Sequence, residues 1–248
     1  MLGAGTALAV AGIVFAASVL QRAVGFGFAL LAVPLTAFVL PTKSAVVVVF
    51  LSGVLSSLWV AARLHDRIDR AVAGRLGAGA VLGAPVGVVV LRVVSAATLR
   101  AVLGVLICAA AAWIIVSSRA AAPRRDAPRP ARAWVLGVVS GVLNTALATS
   151  GPPLVYELRR AGFRDDGFRA TISAIFVLSN LIGLPLLVVA GLVTRTDVEL
   201  AAIALLPAAA GIALGTALGR RMAPGHFLWA VDLLLLATGA LTLVKAFG

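Results

Sequence analysis

Long apolar runs, separated by short basic or Gly/Pro-rich punctuation, make up nearly the whole chain. They cover about residues 2–21, 25–40, 44–62, 74–91, 99–118, 133–148, 171–191, 198–218 and 228–246. Most approach the roughly 20 residues a helix needs to cross a bilayer. The runs are continuous rather than alternating, which disfavours a membrane β-barrel. Two clusters of helix breakers fall within apolar sequence: Gly25-Phe26-Gly27, with Pro34 following, and Ser150-Gly151-Pro152-Pro153. A short apolar piece, 152–158, follows the second cluster. The pattern predicts an all-α polytopic membrane protein with about eight transmembrane helices plus broken, re-entrant hairpins.

Composition strengthens that picture. Hydrophobic residues make up 62% of the 248 and charged ones 12%, against roughly 45–50% and about 25% in a soluble domain. A soluble globule of this length could not hide so much apolar surface. A water-soluble enzyme, a nucleic-acid-binding domain and a disordered chain are therefore excluded. The net charge of +12 imitates a nucleic-acid signal, but in a membrane protein loop Arg and Lys mark topology first. The first positive side chain, Arg22, comes after the first apolar run, so that run reads as a retained span rather than a signal peptide. Cys108 has no partner for a disulfide and reads as a small buried hydrophobe. Basic residues are nearly all Arg, a bias that points to a GC-rich bacterial genome.

The Pro-, Ala- and Arg-rich stretch 117–132 reads as a linker. It divides the chain into a first membrane repeat, 1–118, a cytoplasmic linker, 119–132, and a second repeat, 133–248. One constant shift pairs Gly83 with Gly211, Gly87 with Gly215, Arg92 with Arg220, Asp69 with Asp197 and Arg67 with Arg195. The Gly25–Pro34 region faces Gly151–Pro153 after a short gap, so an internal duplication is expected. Charge then selects the topology. If 2–40 and 133–158 each cross once, the basic residues divide almost evenly between the two sides. If each goes in and returns at its Gly/Pro cluster, the division becomes 15 to 5, with Arg22 set aside. The positive-inside rule prefers the second arrangement. It puts both termini outside and the linker in the cytoplasm, and it makes the halves inverted repeats, as in many secondary transporters.

Lipid tolerates broken backbone only where protein or a cavity covers it, so the two hairpins should face each other. Helices starting after Gly27 and Gly151 would offer free N–H groups and a positive dipole end to an anion. Pro152 and Pro153 suit a first turn. The candidate substrate-binding residues are Arg22, Gly25, Phe26, Gly27, Phe28, Asn144, Thr149, Ser150, Gly151, Pro152, Pro153 and Asn180. Arg22 would balance an anion or snorkel to an interface. Asn180, in an apolar run and aligned with Ser52, needs a partner on another helix or on a substrate. Pro34, Gly83, Gly87, Gly211 and Gly215 read as structural, the glycines through close helix packing. Glu157 should pair with the neighbouring Arg159–Arg160 rather than act as a proton site, and Asp232 should cap its helix or pair with an Arg rather than couple protons. His65 and His226 are too far apart in sequence to suggest a metal set. No nucleotide fingerprint and no nucleophile–base set is visible, so neither an enzyme nor a cofactor is expected.

The run Gln21-Arg22-Ala23-Val24-Gly25-Phe26-Gly27-Phe28-Ala29-Leu30-Leu31-Ala32-Val33-Pro34, followed by Pro41 and Ala45, resembles the first motif of the sulfite exporter TauE/SafE family. Ser150-Gly151-Pro152-Pro153, with Phe168-Arg169-Ala170 and Asn180, resembles its second. The resemblance spans nearly the whole chain. It implies a bacterial inner-membrane transporter of sulfite, organosulfonates or related sulfur or carboxylate anions. The expected function is secondary transport of a small anion by alternating access. A passive anion channel and an accessory subunit of a membrane sulfur-metabolism system are the alternatives. The expected partners are the substrate anion and the lipid bilayer, with no nucleic acid.

Overall fold

The computed structural model describes residues 3–24, 27–119, 130–219 and 224–247, with side chains for all of these except 22–24, 113–119, 219, 224–234 and 247. Among the described residues every regular element is helical. The elements are α1 (Ala4–Val24), α2 (Phe28–Thr36), α3 (Thr42–Arg63), a 3-10 turn (His65–Arg67), α4 (Arg70–Val93), α5 (Ala96–Arg119), α6 (Pro130–Leu147), α7 (Gly151–Arg160), α8 (Asp165–Val189), α9 (Arg195–Gly219) and α10 (Pro224–Phe247).

Segments in α1, α3, α4, α8 and α9 are long and apolar enough to cross a membrane. Large apolar side chains such as Val189 and Leu206 lie more than four-fifths exposed, which suits a lipid-facing surface and not a watery one. The chain is a multi-pass helical membrane protein. α2 and α7 are different. At 9 and 10 residues they extend only about 14–15 Å, half of a roughly 30 Å hydrocarbon core.

Capping chemistry sets the helix ends. Asp69 Oδ1 accepts from the N–H groups of Ala71 (3.1 Å) and Val72 (3.0 Å) at the start of α4. At the start of α9, Asp197 Oδ2 accepts from the Thr194 N–H and hydroxyl (2.9 and 2.7 Å), while Thr194 Oγ1 accepts from the Asp197 N–H (3.2 Å). Both stabilise a helix start, Asp69 directly before α4 and Asp197 as the third residue of α9. α7 ends on Gly162 at φ 86, with the Phe163 N–H donating to the Leu158 carbonyl (2.9 Å). α8 ends the same way on Gly191 at φ 67. These are glycine-terminated Schellman ends.

Helix α6 takes in Pro130 to Arg132, which composition alone assigns to the linker. Proline is favoured in a first helical turn, where its missing N–H leaves no bond unmade. Most of the remaining linker, residues 120–129, lies outside the described residues.

The chain forms two compact units, and each draws on both sequence halves. The first comprises residues 1–52, 94–120 and 194–248; the second comprises 53–93 and 121–193. Within the first unit α1 packs on α9, α5 on α10, and α2 on α1. A Cβ on Gly211 would stand 2.5 Å from the Phe15 carbonyl oxygen, so the α1 and α9 backbones are nearly in contact. Gly239 meets Cys108 in the same way, at 2.8 Å from its sulfur.

Within the second unit α4 packs on α6 and α8, and α7 packs on α6 and α8. Gly83 lies against the Val138 carbonyl, Gly87 against Val142 and Thr145, and Gly141 against Ala80. Any side chain at these positions would separate α4 from α6. Close backbone approach through small residues is the usual packing device between membrane helices.

Candidate functional site

The turn between α6 and α7 lies in the second unit and is built from an unusual backbone. Ala148 has φ 52, a left-handed conformation that costs a non-glycine residue about 1–2 kcal/mol. The Thr149 N–H reaches back six residues to the Leu143 carbonyl (3.2 Å). The Thr149 hydroxyl donates to the Leu147 carbonyl (2.9 Å). The chain thus reverses within a few residues, and Ser150 returns to the level of the middle of α6. There the Ser140 hydroxyl donates to the Ser150 carbonyl oxygen (2.8 Å).

Asn144 is the hub of the polar cluster beside this turn. Its Nδ2 donates to Asn180 Oδ1 (2.7 Å) and to Ser179 Oγ (3.0 Å), both on α8. Its Oδ1 accepts from the Ser150 hydroxyl (3.3 Å). One level away, the Thr145 hydroxyl bonds the carbonyls of Ala84 (2.9 Å) and Gly141 (3.1 Å). Asn144, Thr145, Thr149, Ser150, Ser179 and Asn180 are all at least nine-tenths buried.

Both amide oxygens of the Asn144–Asn180 pair accept a hydrogen bond. Among the described residues, no hydrogen bond uses the Asn180 Nδ2 hydrogens or the Ser179 hydroxyl hydrogen. The unspent capacity is therefore donor capacity, which a buried site offers to an anion or a carbonyl-like oxygen. No hydrogen-bonded member of the cluster carries a charge. The start of α7 adds its dipole, with Gly151, Pro152 and Pro153 all half-buried there. Pro152 and Pro153 have no N–H, so two of the first-turn donors expected of a helix start are missing. Side chains supply the donors instead.

The structure thus brings together Asn144, Ser150 and Asn180, with Thr149 adjoining them but bonded to its own backbone. It adds Ser140 and Ser179, which the sequence reading passes over. A signal for Ser140 exists: it lies four residues before Asn144, on the same helix face.

Gly27 and Phe28 belong to the first unit. Gly27, at φ 101, precedes the first residue of α2, and Phe28 is buried. Pro34 is buried inside α2. Gly25, Phe26 and the side chain of Arg22 lie outside the described residues, as do the side chains of His226 and Asp232. In the same unit Gln21 Oε1 and Thr36 Oγ1 are buried with no hydrogen-bond partner among the described residues. Ser52, aligned with Asn180, donates to the Val48 carbonyl of its own helix (2.8 Å).

Glu157 requires a correction. It does not pair with Arg159 or Arg160. Its fully buried carboxylate takes a two-pronged bond from Arg132, with Nε to Oε2 at 2.8 Å and Nη2 to Oε1 at 3.2 Å. Arg159, two positions on, leaves the Glu157 face and stacks over Phe168 (5.3 Å), while Arg160, three positions on, donates instead to the Tyr156 hydroxyl (3.1 Å). No group of His, Cys, Asp and Glu suited to a metal occurs among the described residues.

A family model described as "Sulfite exporter TauE/SafE" matches residues 10–242. The chain belongs to this family. Comparison with curated proteins and with solved structures returns no match. The TauE/SafE model takes in both breaks, the α6–α7 cluster and all of α3 to α9, so every candidate residue lies within the matched region. TauE/SafE membership makes the chain a membrane protein of a transporter family of the sulfite-exporter kind.

Proposed function

We propose that the protein is a secondary exporter of small sulfur or carboxylate anions, sulfite and organosulfonates first among them, across a bacterial inner membrane. The observation that carries this reading is the pair of donors at Ser179 and Asn180 that no described group takes up, joined through Asn144 to Ser150 at the start of α7. Neutral donors suit a transported anion. They stabilise the charge without the deep trap that a fixed buried cation would create. The family membership supports the same substrate class.

We read the halves 1–118 and 133–248 as inverted repeats joined by a cytoplasmic linker. The support is a crossed pair of contacts. Gly83 of the first half packs on a carbonyl of α6, in the second half. Gly211 of the second half packs on a carbonyl of α1, in the first half. A duplicated unit that exchanges helices with its copy gives this pattern. Under that topology both termini lie outside.

The test is efflux from proteoliposomes loaded with sulfite, an alkylsulfonate, thiosulfate or a small carboxylate, with imposed proton and sodium gradients. Saturable efflux of sulfite or a sulfonate is expected. Efflux no faster than from protein-free vesicles for every anion would refute the reading, and non-saturable flux would make the protein a channel. A reporter fused to the C-terminus tests the orientation; activity in the cytoplasm would overturn it.

A further inference from the structure

Helix α7 is tied to α6 at both ends. At its start, Ser140 and Asn144 hold Ser150. Near its far end, Glu157 bonds Arg132 through a two-pronged contact. Arg132 stands three residues into α6 and Glu157 seven residues into α7. They can meet only because α7 runs back alongside α6. A parallel fork between guanidinium and carboxylate fixes angle as well as distance. A buried ion pair adds little net stability over an apolar pair, and its best-attested use is to specify register. Glu157 lies six residues beyond Gly151, about 9 Å along the helix, so it does not itself reach an anion at the α7 start.

We infer that Arg132 and Glu157 are positioning residues: their ion pair sets the placement of α7, and through it how Ser150 and Gly151 meet the substrate anion. The inference rests on the proposed export function for its consequence, but not for its geometry. Leu154, Val155 and Leu158 bury one face of α7, and the ion pair adds a directional restraint near its far end. Losing Glu157 leaves Arg132, a quarter exposed, free to turn to water, and removes the fork that holds the far end of α7 against α6. Glutamine at 157 keeps one oxygen for Arg132 and should hold the placement in part.

The test uses the full-length protein in proteoliposomes, with Glu157→Ala and Glu157→Gln in a Ser150→Cys, Cys108→Ser background. The first readout is the rate at which a membrane-impermeant maleimide labels the thiol introduced by Ser150→Cys. The second is the KM and maximal rate of sulfite efflux, measured with Ser150 and Cys108 intact. Glu157→Ala should speed labelling by about tenfold and raise KM by a similar factor, with Glu157→Gln raising each by a smaller factor of about two to three. Glu199→Ala, which breaks the exposed Arg195–Glu199 pair, should change neither.

Labelling of Glu157→Ala at the rate of the unsubstituted background overturns the inference, as does an unchanged KM in a protein that exports sulfite. If Glu157→Ala does not reach the membrane, Glu157→Gln decides: labelling about two- to threefold faster supports the inference, and labelling at the background rate overturns it. If the protein with Glu157 intact moves no anion, the export reading fails alone, and labelling still decides whether the ion pair places α7.

Discussion

The break before α2 uses Gly27 at φ 101, whereas the break before α7 uses Ala148 at φ 52. The contrast extends to the side chains. Beside the second break an amide, Asn144, is satisfied on both sides by Ser150, Ser179 and Asn180. Beside the first, the Gln21 amide oxygen is buried without a partner among the described residues. Helix starts differ too. α2 begins Phe28-Ala29-Leu30 with every N–H available, while α7 begins Gly151-Pro152-Pro153 and lacks two of them. A first break rich in backbone donors and a second built on a side-chain network show that a common chain reversal can be furnished with different chemistry. The spare groups also have opposite sign: an acceptor at Gln21, donors at Ser179 and Asn180.

The widest separation between the two breaks should come from removing their amides. Asn144→Leu strands Ser150, Ser179 and Asn180 and should cost about 3 kcal/mol or more, at about 1–3 kcal/mol for each buried polar group left unpaired. Gln21→Leu removes an oxygen that has no partner and should leave stability unchanged or raised. Thermal unfolding in detergent compares them; equal losses would show that Gln21 is satisfied after all. The next effect is in the backbone. Gly27→Ala should destabilise by about 1–2 kcal/mol, because only glycine holds a positive φ without strain. Ala148→Gly should move the other way, by less than about 1 kcal/mol once the added freedom of the unfolded chain is counted. Loss of stability on Ala148→Gly would contradict the strained turn. The smallest effect concerns the helix start. Pro152→Ala with Pro153→Ala restores two N–H groups and should tighten anion binding by about two- to fivefold, the worth of a helix-terminus charge interaction.

Much of the fold is readable from sequence because bilayer thickness constrains it so strongly. The nine apolar stretches correspond to elements of the fold, and both Gly/Pro clusters mark helix starts. Gly83 and Gly87, four residues apart on one face of α4, are close-packed on α6, and Gly211 is close-packed on α1. The site is only half legible. Asn144 and Asn180 stand out as amides in apolar runs, yet nothing in their spacing says that they bond each other across 36 residues. Ser179 is invisible beside so many small residues. The Arg132–Glu157 pair is hidden for a physical reason: local sequence offers Glu157 two adjacent arginines, and only the antiparallel return of α7 makes a residue 25 positions away the nearer one.

The most direct measurement is sulfite efflux from proteoliposomes holding equal amounts of the unsubstituted protein and Asn180→Leu. Leu keeps the number of side-chain heavy atoms but removes the spare donors, together with the Oδ1 that accepts from Asn144. Saturable efflux is expected from the unsubstituted protein, with a KM at least about tenfold higher for Asn180→Leu, since a hydrogen bond to a charged group is worth about 1.5–3 kcal/mol. Identical KM values in the two proteins would contradict the placement of the anion beside α7.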